Sequence, residues 1–523
     1  NIKEKKPGTF HEAMQLFWLF ALLAGVINYG RLDDYLGPYL VADLESGRLT
    51  DEEAYRYIHS LWTMIENRRT TVNGRIIVGG KGRKHPKEAD VFLHIAMKVV
   101  KNCRYVEPQF TLRFDKDTSE EIWDEALDAL GAGATYPTLY NDDVNVPAVM
   151  YGMRVDEKAA EQYVPFGCTE FVIQGQSTGT PNICINLLKL LTIYMNDGID
   201  PIDGKRKSGP VPLKKLEEYQ TFEEFYDGYK ALLDYYLDLS VKAQYHSYEV
   251  MNQHVSFLFT SLLTDDCIAR GKALLDGGVR YLGGTNETYG NINTSDSLWV
   301  IRDLVFNQKK YTLRQLNDAM LANFNGYEAL RKDCLNCDKY GNDLETADTM
   351  ANDLYEFVAK GVRDRGIAIG MQYFLIVISN NQLNTEWGNR TAASPDGRLS
   401  CMYMNPANNP QGGANKSGPT AMLNSLAKFD AKYHGGSVQN IKFSPSMFNE
   451  NRAVIKSLFK TYFAKGGCHL MVTVVDKGVL EDAVEHPENY PDLIVRVSGF
   501  SAVFVDLSPN IQQELLSRVL YDE

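Results

Sequence analysis

The chain of 523 residues has no block of five or more basic residues, and its formal charge is −13. Nucleic acids and anionic membranes attract proteins through a positive footprint, so neither is an expected partner. A membrane-length apolar run is missing as well. The uncharged run from Ala13 to Ile27 has 15 residues and contains Gln15, whereas a spanning helix needs about 20. Its basic approach gives it a superficial likeness to a signal peptide, but His11-Glu12 interrupt it, and a helix buried in the core is expected. Residue 1 is not a methionine, so it is not expected to be the natural start. The glycine-rich stretches "GGKGRK" (79–84) and "GGTNETYG" (283–290) fit neither phosphate-binding spacing, which argues against a nucleotide site. HExxH is absent, the nine histidines are scattered, and no Gly-x-Ser-x-Gly elbow is expected. The eight cysteines are dispersed through an acidic chain, so reduced thiols in a cytoplasm are expected. Cys334-Leu-Asn-Cys337 lacks a second ligand pair, and no metal site is expected there.

Helices alternating with short apolar runs indicate an α/β fold. Thr118-x-x-Glu121 predicts a capping box before a helix closed by Gly131. Thr221-x-x-Glu224 opens an amphipathic stretch to about Met251, and Thr312-x-x-Gln315 opens another. Buried strands are expected in "RIIVGG" (75–80), "QFTLRF" (109–114), "AIAIGMQYFLIVIS" (367–379), "CHLMVTVVD" (468–476) and "LIVRV" (493–497). Polar, glycine-containing connectors are expected at 136–143, 166–182, 277–296 and 393–398. Loops of this kind commonly carry function when a rigid scaffold holds them. The last marks a boundary between segments 1–392 and 393–523. No repeat or low-complexity tract is found.

Two stretches suggest chemistry. "FGCTE" (166–170) places Cys168 two residues before Glu170. It reads either as a buried structural thiol or as a catalytic pair, in which sulfur attacks or abstracts and the carboxylate moves a proton. A thiol protease would also need a histidine, and the nearest in sequence is His246. "DLIVRVSGFSAVFVDLS" (492–508) sets Gly499 within strand-forming sequence, where a turn or bulge is the ordinary explanation.

Together, "GCTE" and "RVSGF", 331 residues apart (499 − 168), resemble the glycyl radical enzymes, the pyruvate formate-lyase-like superfamily. "FHEAMQLFW", "GRLDDYL", "ASPDGR" and "GPTAMLNSLAKFD" resemble its recurring segments in the same order. The resemblance implies a ten-stranded-type barrel of two half sheets wrapped by helices, with 1–392 as the barrel domain and 393–523 as the glycine radical domain. Family members extend further at the N-terminus, so a truncated barrel, a fragment or one half of a split enzyme is expected.

The resemblance implies a radical stored on Gly499, where removal of a Cα hydrogen leaves a planar centre delocalised into the flanking amides. Cys168 would then be the thiyl that takes hydrogen from substrate carbon. Thr169 stands where formate-lyase proper has a second cysteine, and Glu170 matches the Gly-Cys-x-Glu pattern of the eliminating and decarboxylating branches. In the dehydratases that glutamate is the general base. The expected function is radical elimination on a small polar metabolite, as a homodimer in an anaerobic cytoplasm. No cofactor is expected in the chain; a radical-SAM activating enzyme would install the radical. The alternatives are an arylacetate-type decarboxylase, a formate C-acetyltransferase-like C–C lyase, or an inactive partner of a longer paralogue. The diol dehydratases and choline lyase carry Trp-His-Asp where this chain has Thr180-Pro181-Asn182, and the hydroxyproline dehydratase has a tyrosine near the position of Cys184. Candidate pocket residues are Asn141, Asp142, Asn182, Glu287, Tyr289 and Asn291.

Overall fold

The computed structural model describes residues 5–522 except 27, 70–73, 180–181 and 380–381. The strands in chain order are β1 (Gly30–Arg31), β2 (Arg75–Gly79), β3 (Gln109–Phe114), β4 (Thr138–Asn141), β5 (Tyr163–Phe166), β6 (Glu170–Ile173) and β7 (Ile183–Asn186). They continue with β8 (Gly283–Tyr289), β9 (Tyr373–Ile378), β10 (His434–Ser437), β11 (Asn440–Phe443), β12 (His469–Val474), β13 (Ile494–Arg496) and β14 (Ser501–Val503). Ten of them divide between a six-stranded sheet, ordered β1-β2-β3-β4-β12-β11, and a four-stranded sheet, ordered β10-β9-β8-β7. β4 and β12 run antiparallel, and the other pairs within these two sheets are parallel.

Each sheet has an apolar outer face and a more polar inner one. Ile76, Phe110, Val78, Leu112 and Leu139 pack into one large core with the helices. Strand alternation sends their neighbours Arg75, Gln109, Thr111, Thr138, Arg113 and Tyr140 to the other side, all buried. In the second sheet, Ile376 and Ile378 join a separate core, while Cys184, Thr285 and Glu287 share the opposite face in register with Leu375 and Val377. Parallel sheets usually bury apolar side chains on both faces. A buried polar face marks an interior built to hold something other than hydrocarbon. The hairpin β5–β6 occupies that interior, with β5 against β2 and β6 against β10.

Three sequence expectations change. The connectors at 136–143 and 277–296 hold β4 and β8, because these strands carry inward polar side chains instead of an apolar run, and the connector at 166–182 holds β6. The cap expected at Thr118 falls on Ser119, whose hydroxyl accepts from Ile122 N, while Thr118 Oγ1 accepts from Asp115 N. The first helix, Phe10–Leu23, is only half buried: Leu22 and Leu23 are exposed while Phe10, Ala13, Met14 and Ala21 are buried. Thr221 and Thr312 cap their helices as expected, the first running Phe222–His254. Among the described residues no helix is long and apolar enough to cross a membrane.

Candidate active site

Two hairpin tips meet inside the molecule. The first is Gly167-Cys168-Thr169, closed by the Phe166–Glu170 pair of β5 and β6. Gly167 has φ +54°, and a Cβ there would lie 2.5 Å from Glu170 Oε2, so both backbone and packing require glycine. The tip is pinned from below by buried Arg75, whose Nη2 donates to the Gly167 carbonyl at 2.9 Å and whose other hydrogen bonds go to Gln109 and Thr111. Behind it, a Cβ on Gly436 would lie 2.3 Å from the Thr169 carbonyl.

The second tip, residues 497–500, lies beyond the Arg496–Ser501 pair of β13 and β14. A Cβ on Gly499 would lie 2.4 Å from Cys168 Cβ and 2.7 Å from Cys168 Sγ. Gly499 is buried, and its φ lies outside the left-handed region. Gly499 does sit in a hairpin turn, but a left-handed backbone is not what requires glycine there. Its hydrogen-only Cα is needed because Cys168 is pressed against it.

The electrostatics of the first tip suit a neutral thiol. Burial, then the charges of Glu170 and Glu287, push the Cys168 thiol well above its usual range. Glu170 is pushed up to about 7, mainly by burial and then by Glu287, against the Thr169 N–H, which donates to its Oε2 at 2.9 Å. Asn182 joins the two carboxylates: its Nδ2 donates to Glu170 Oε1 at 3.0 Å and to Glu287 Oε1 at 2.8 Å, while its Oδ1 accepts from Thr285 Oγ1. Glu287 Oε2 accepts from Tyr289 at 2.5 Å and from Ser379 at 2.9 Å.

The structure thus brings Cys168, Glu170, Asn182, Glu287, Tyr289 and Gly499 together. Asn141 has a different task. Its Nδ2 donates to the Phe463 and Gly467 carbonyls, and its Oδ1 caps the next helix at Asp143 N. Asp142 is likewise committed, to Arg113, Tyr163 and Lys81 N. Asn291 Nδ2 donates to Thr288 Oγ1. Thr180 and Pro181 lie outside the described residues. His246 is exposed and paired with Glu249, so it cannot serve a buried thiol. Gly175-Gln176-Ser177-Thr178-Gly179 does carry the nucleophile-elbow spacing, contrary to expectation. Among the described residues the next element is β7, not a helix, and Ser177 Oγ accepts from Ile173 N, so it forms no elbow. Arg75 and Ser379 escape sequence reading, since only strand register places them here.

Comparison with known proteins finds similarity along most of the chain. Residues 1–383 match the Pyruvate formate lyase-like family model and residues 404–505 the Glycine radical model. Trans-4-hydroxy-L-proline dehydratase of Clostridioides difficile is 28% identical over 98% of this chain and 68% of its own length. The (2S)-3-sulfopropanediol dehydratase of Klebsiella oxytoca is 28% identical over 98% of this chain and 65% of its own. The glycerol-bound B12-independent glycerol dehydratase from Clostridium butyricum superposes with a TM-score of 0.90 at 28% identity, over 99% of this chain and 68% of that one. The chain thus spans about two thirds of the length of these relatives.

Proposed function

The chain belongs to the pyruvate formate lyase-like family, and from that premise we propose that it is a glycyl radical lyase of the dehydratase type, acting on a small polar metabolite. The observation that carries this reading is the contact of Gly499 with Cys168 at a tip that also holds Glu170. In this reading Gly499 stores the unpaired electron. Its Cα takes the hydrogen of the Cys168 thiol, and the thiyl takes a hydrogen from substrate carbon. Glu170 then accepts the proton of the hydroxyl on that carbon. The resulting ketyl expels the neighbouring hydroxyl, which leaves as water with a proton returned from Glu170. The product radical recovers hydrogen from Cys168, and Cys168 from Gly499, so the cycle closes without net oxidation. A thiol held neutral by burial suits hydrogen-atom transfer, whereas a nucleophilic cysteine is activated as thiolate.

The radical would be installed anaerobically in the cytoplasm by a radical-SAM activating enzyme. After such activation, electron paramagnetic resonance should show a glycyl signal in the wild type and none in Gly499→Ala. Cys168→Ser should keep the signal and lose turnover. Full activity in Gly499→Ala would refute the mechanism. Product analysis separates the rival decarboxylase, which releases carbon dioxide.

A further inference from the structure

The tips that meet at Cys168 and Gly499 belong to two separate two-stranded sheets. Side chains tie both of them to the head of β4. From the first tip, the Gly167 carbonyl accepts from Arg75 Nη2 at 2.9 Å, and Arg75 Nη1 donates to Thr111 Oγ1 at 2.8 Å. Thr111 Oγ1 in turn shares a hydrogen bond of 2.9 Å with Thr138 Oγ1, the first residue of β4. In the second hairpin, Ser501 stands opposite Arg496 at the base of the tip. Its hydroxyl shares a hydrogen bond of 2.9 Å with Thr135 Oγ1, just ahead of β4. Arg75 is a costly link. It is 0% exposed, its hydrogen bonds go to the neutral groups of Gln109, Thr111 and Gly167, and its Nε has no hydrogen-bond partner among the described residues. The Glu107 and Glu170 carboxylates feel its charge, but among the described residues neither forms an ion pair with it. A second buried cation, Arg496, lies within its electrostatic reach. Burying a guanidinium away from a paired carboxylate is unfavourable, and a like charge nearby makes it more so. What the guanidinium supplies is a planar, rigid fork that fixes several acceptors at once.

We propose that Arg75 is a positioning residue for the radical: together with Thr135 it fastens the two tips to the head of β4, and so fixes the distance over which hydrogen passes between Cys168 and Gly499. This deepens the radical reading given above and rests on it. Arg75 acts through the Gly167 carbonyl, next to Cys168 in the chain. Transfer between two held groups is steep in distance, and a misplacement of about 1 Å can cost about 100-fold in rate.

The test follows the hydrogen transfer itself, on the full, activated chain without substrate. A glycyl radical keeps one α-hydrogen, which splits its electron paramagnetic resonance signal into a doublet. In deuterated water the Cys168 thiol becomes S–D. The Gly499 radical takes that deuterium, and the thiyl takes back the protium, so the doublet collapses to a singlet as transfer proceeds. Arg75→Met should slow the collapse about tenfold or more relative to the wild type. Thr135→Val, which removes the hydroxyl at nearly constant volume, should slow it as well. Only folded, activated molecules give the signal, so a merely structural defect would lower its intensity and leave the rate of collapse unchanged. Collapse at the wild-type rate in either variant would overturn the proposal. Should Arg75→Met fail to fold, the rate in Thr135→Val decides. A doublet that persists in the wild type, or that collapses equally fast in Cys168→Ser, would overturn the radical reading, and the proposal with it.

Discussion

At the scale of single residues, Glu170 gives the most direct pH prediction. A general base must be ionised, and burial beside Glu287 holds this carboxyl up to about 7. Turnover of the activated enzyme should therefore rise about tenfold per pH unit below that value and level off above it. A profile flat down to about pH 5 would remove Glu170 as the base. The same shift bears on stability with the opposite slope. A carboxyl whose folded pKa is raised binds more protons when folded than when unfolded. Its contribution is present at acid pH and is lost as pH rises through about 7. Urea denaturation should show the wild type losing more stability than Glu170→Gln between about pH 5 and about pH 8. Cys168, Glu170 and Gly499 could be singled out in the sequence because short motifs carry them. Nothing local to Asn141 reveals that its amide closes the Phe463 and Gly467 backbone.

At the scale of elements, the two hairpin tips are the devices that matter. Gly167→Ala combines a left-handed backbone, worth about 1–2 kcal/mol against alanine, with a Cβ 2.5 Å from Glu170 Oε2. It should lower the urea midpoint accordingly and depress kcat, because the carboxylate must move to make room. A variant as stable and active as the wild type would mean that the tip is loose. Helices were largely legible, since caps such as Thr221 and Thr312 act locally. So were β2 and β3, whose outer faces supply Ile76, Val78, Phe110 and Leu112. β8 was not. Its inward Thr285 and Glu287 alternate with Asn286, which donates to Ser240, and Thr288, so neither face reads as apolar. A strand whose purpose is to line a site loses the pattern that identifies strands.

At the scale of the whole molecule, the last segment of the chain packs against the hairpin that carries Gly499. Val475, Leu480, Val495, Val497, Phe500, Phe504, Ile511 and Leu515 form a small core of their own, separate from the cores around the sheets. Arg518 fastens it: one amino group donates to the Val497 carbonyl at 2.6 Å and to Glu514 at 2.8 Å. Glu514 is 1% exposed, so removing its partner strands a buried carboxylate, at a cost of about 3 kcal/mol. That loss falls on the unit that shields the proposed radical. Arg518→Ala should fold around intact sheets, yet hydrogen exchange should quicken in residues 494–503, the hairpin of β13 and β14. After activation, admission of air should cut the chain near Ser498, and the cut should appear sooner in Arg518→Ala than in the wild type. The two measurements must move together, because both depend on how often the last core opens. Faster exchange without faster cleavage would mean that oxygen reaches Gly499 by another path. Cleavage away from residues 498–499 would mean that the unpaired electron resides elsewhere.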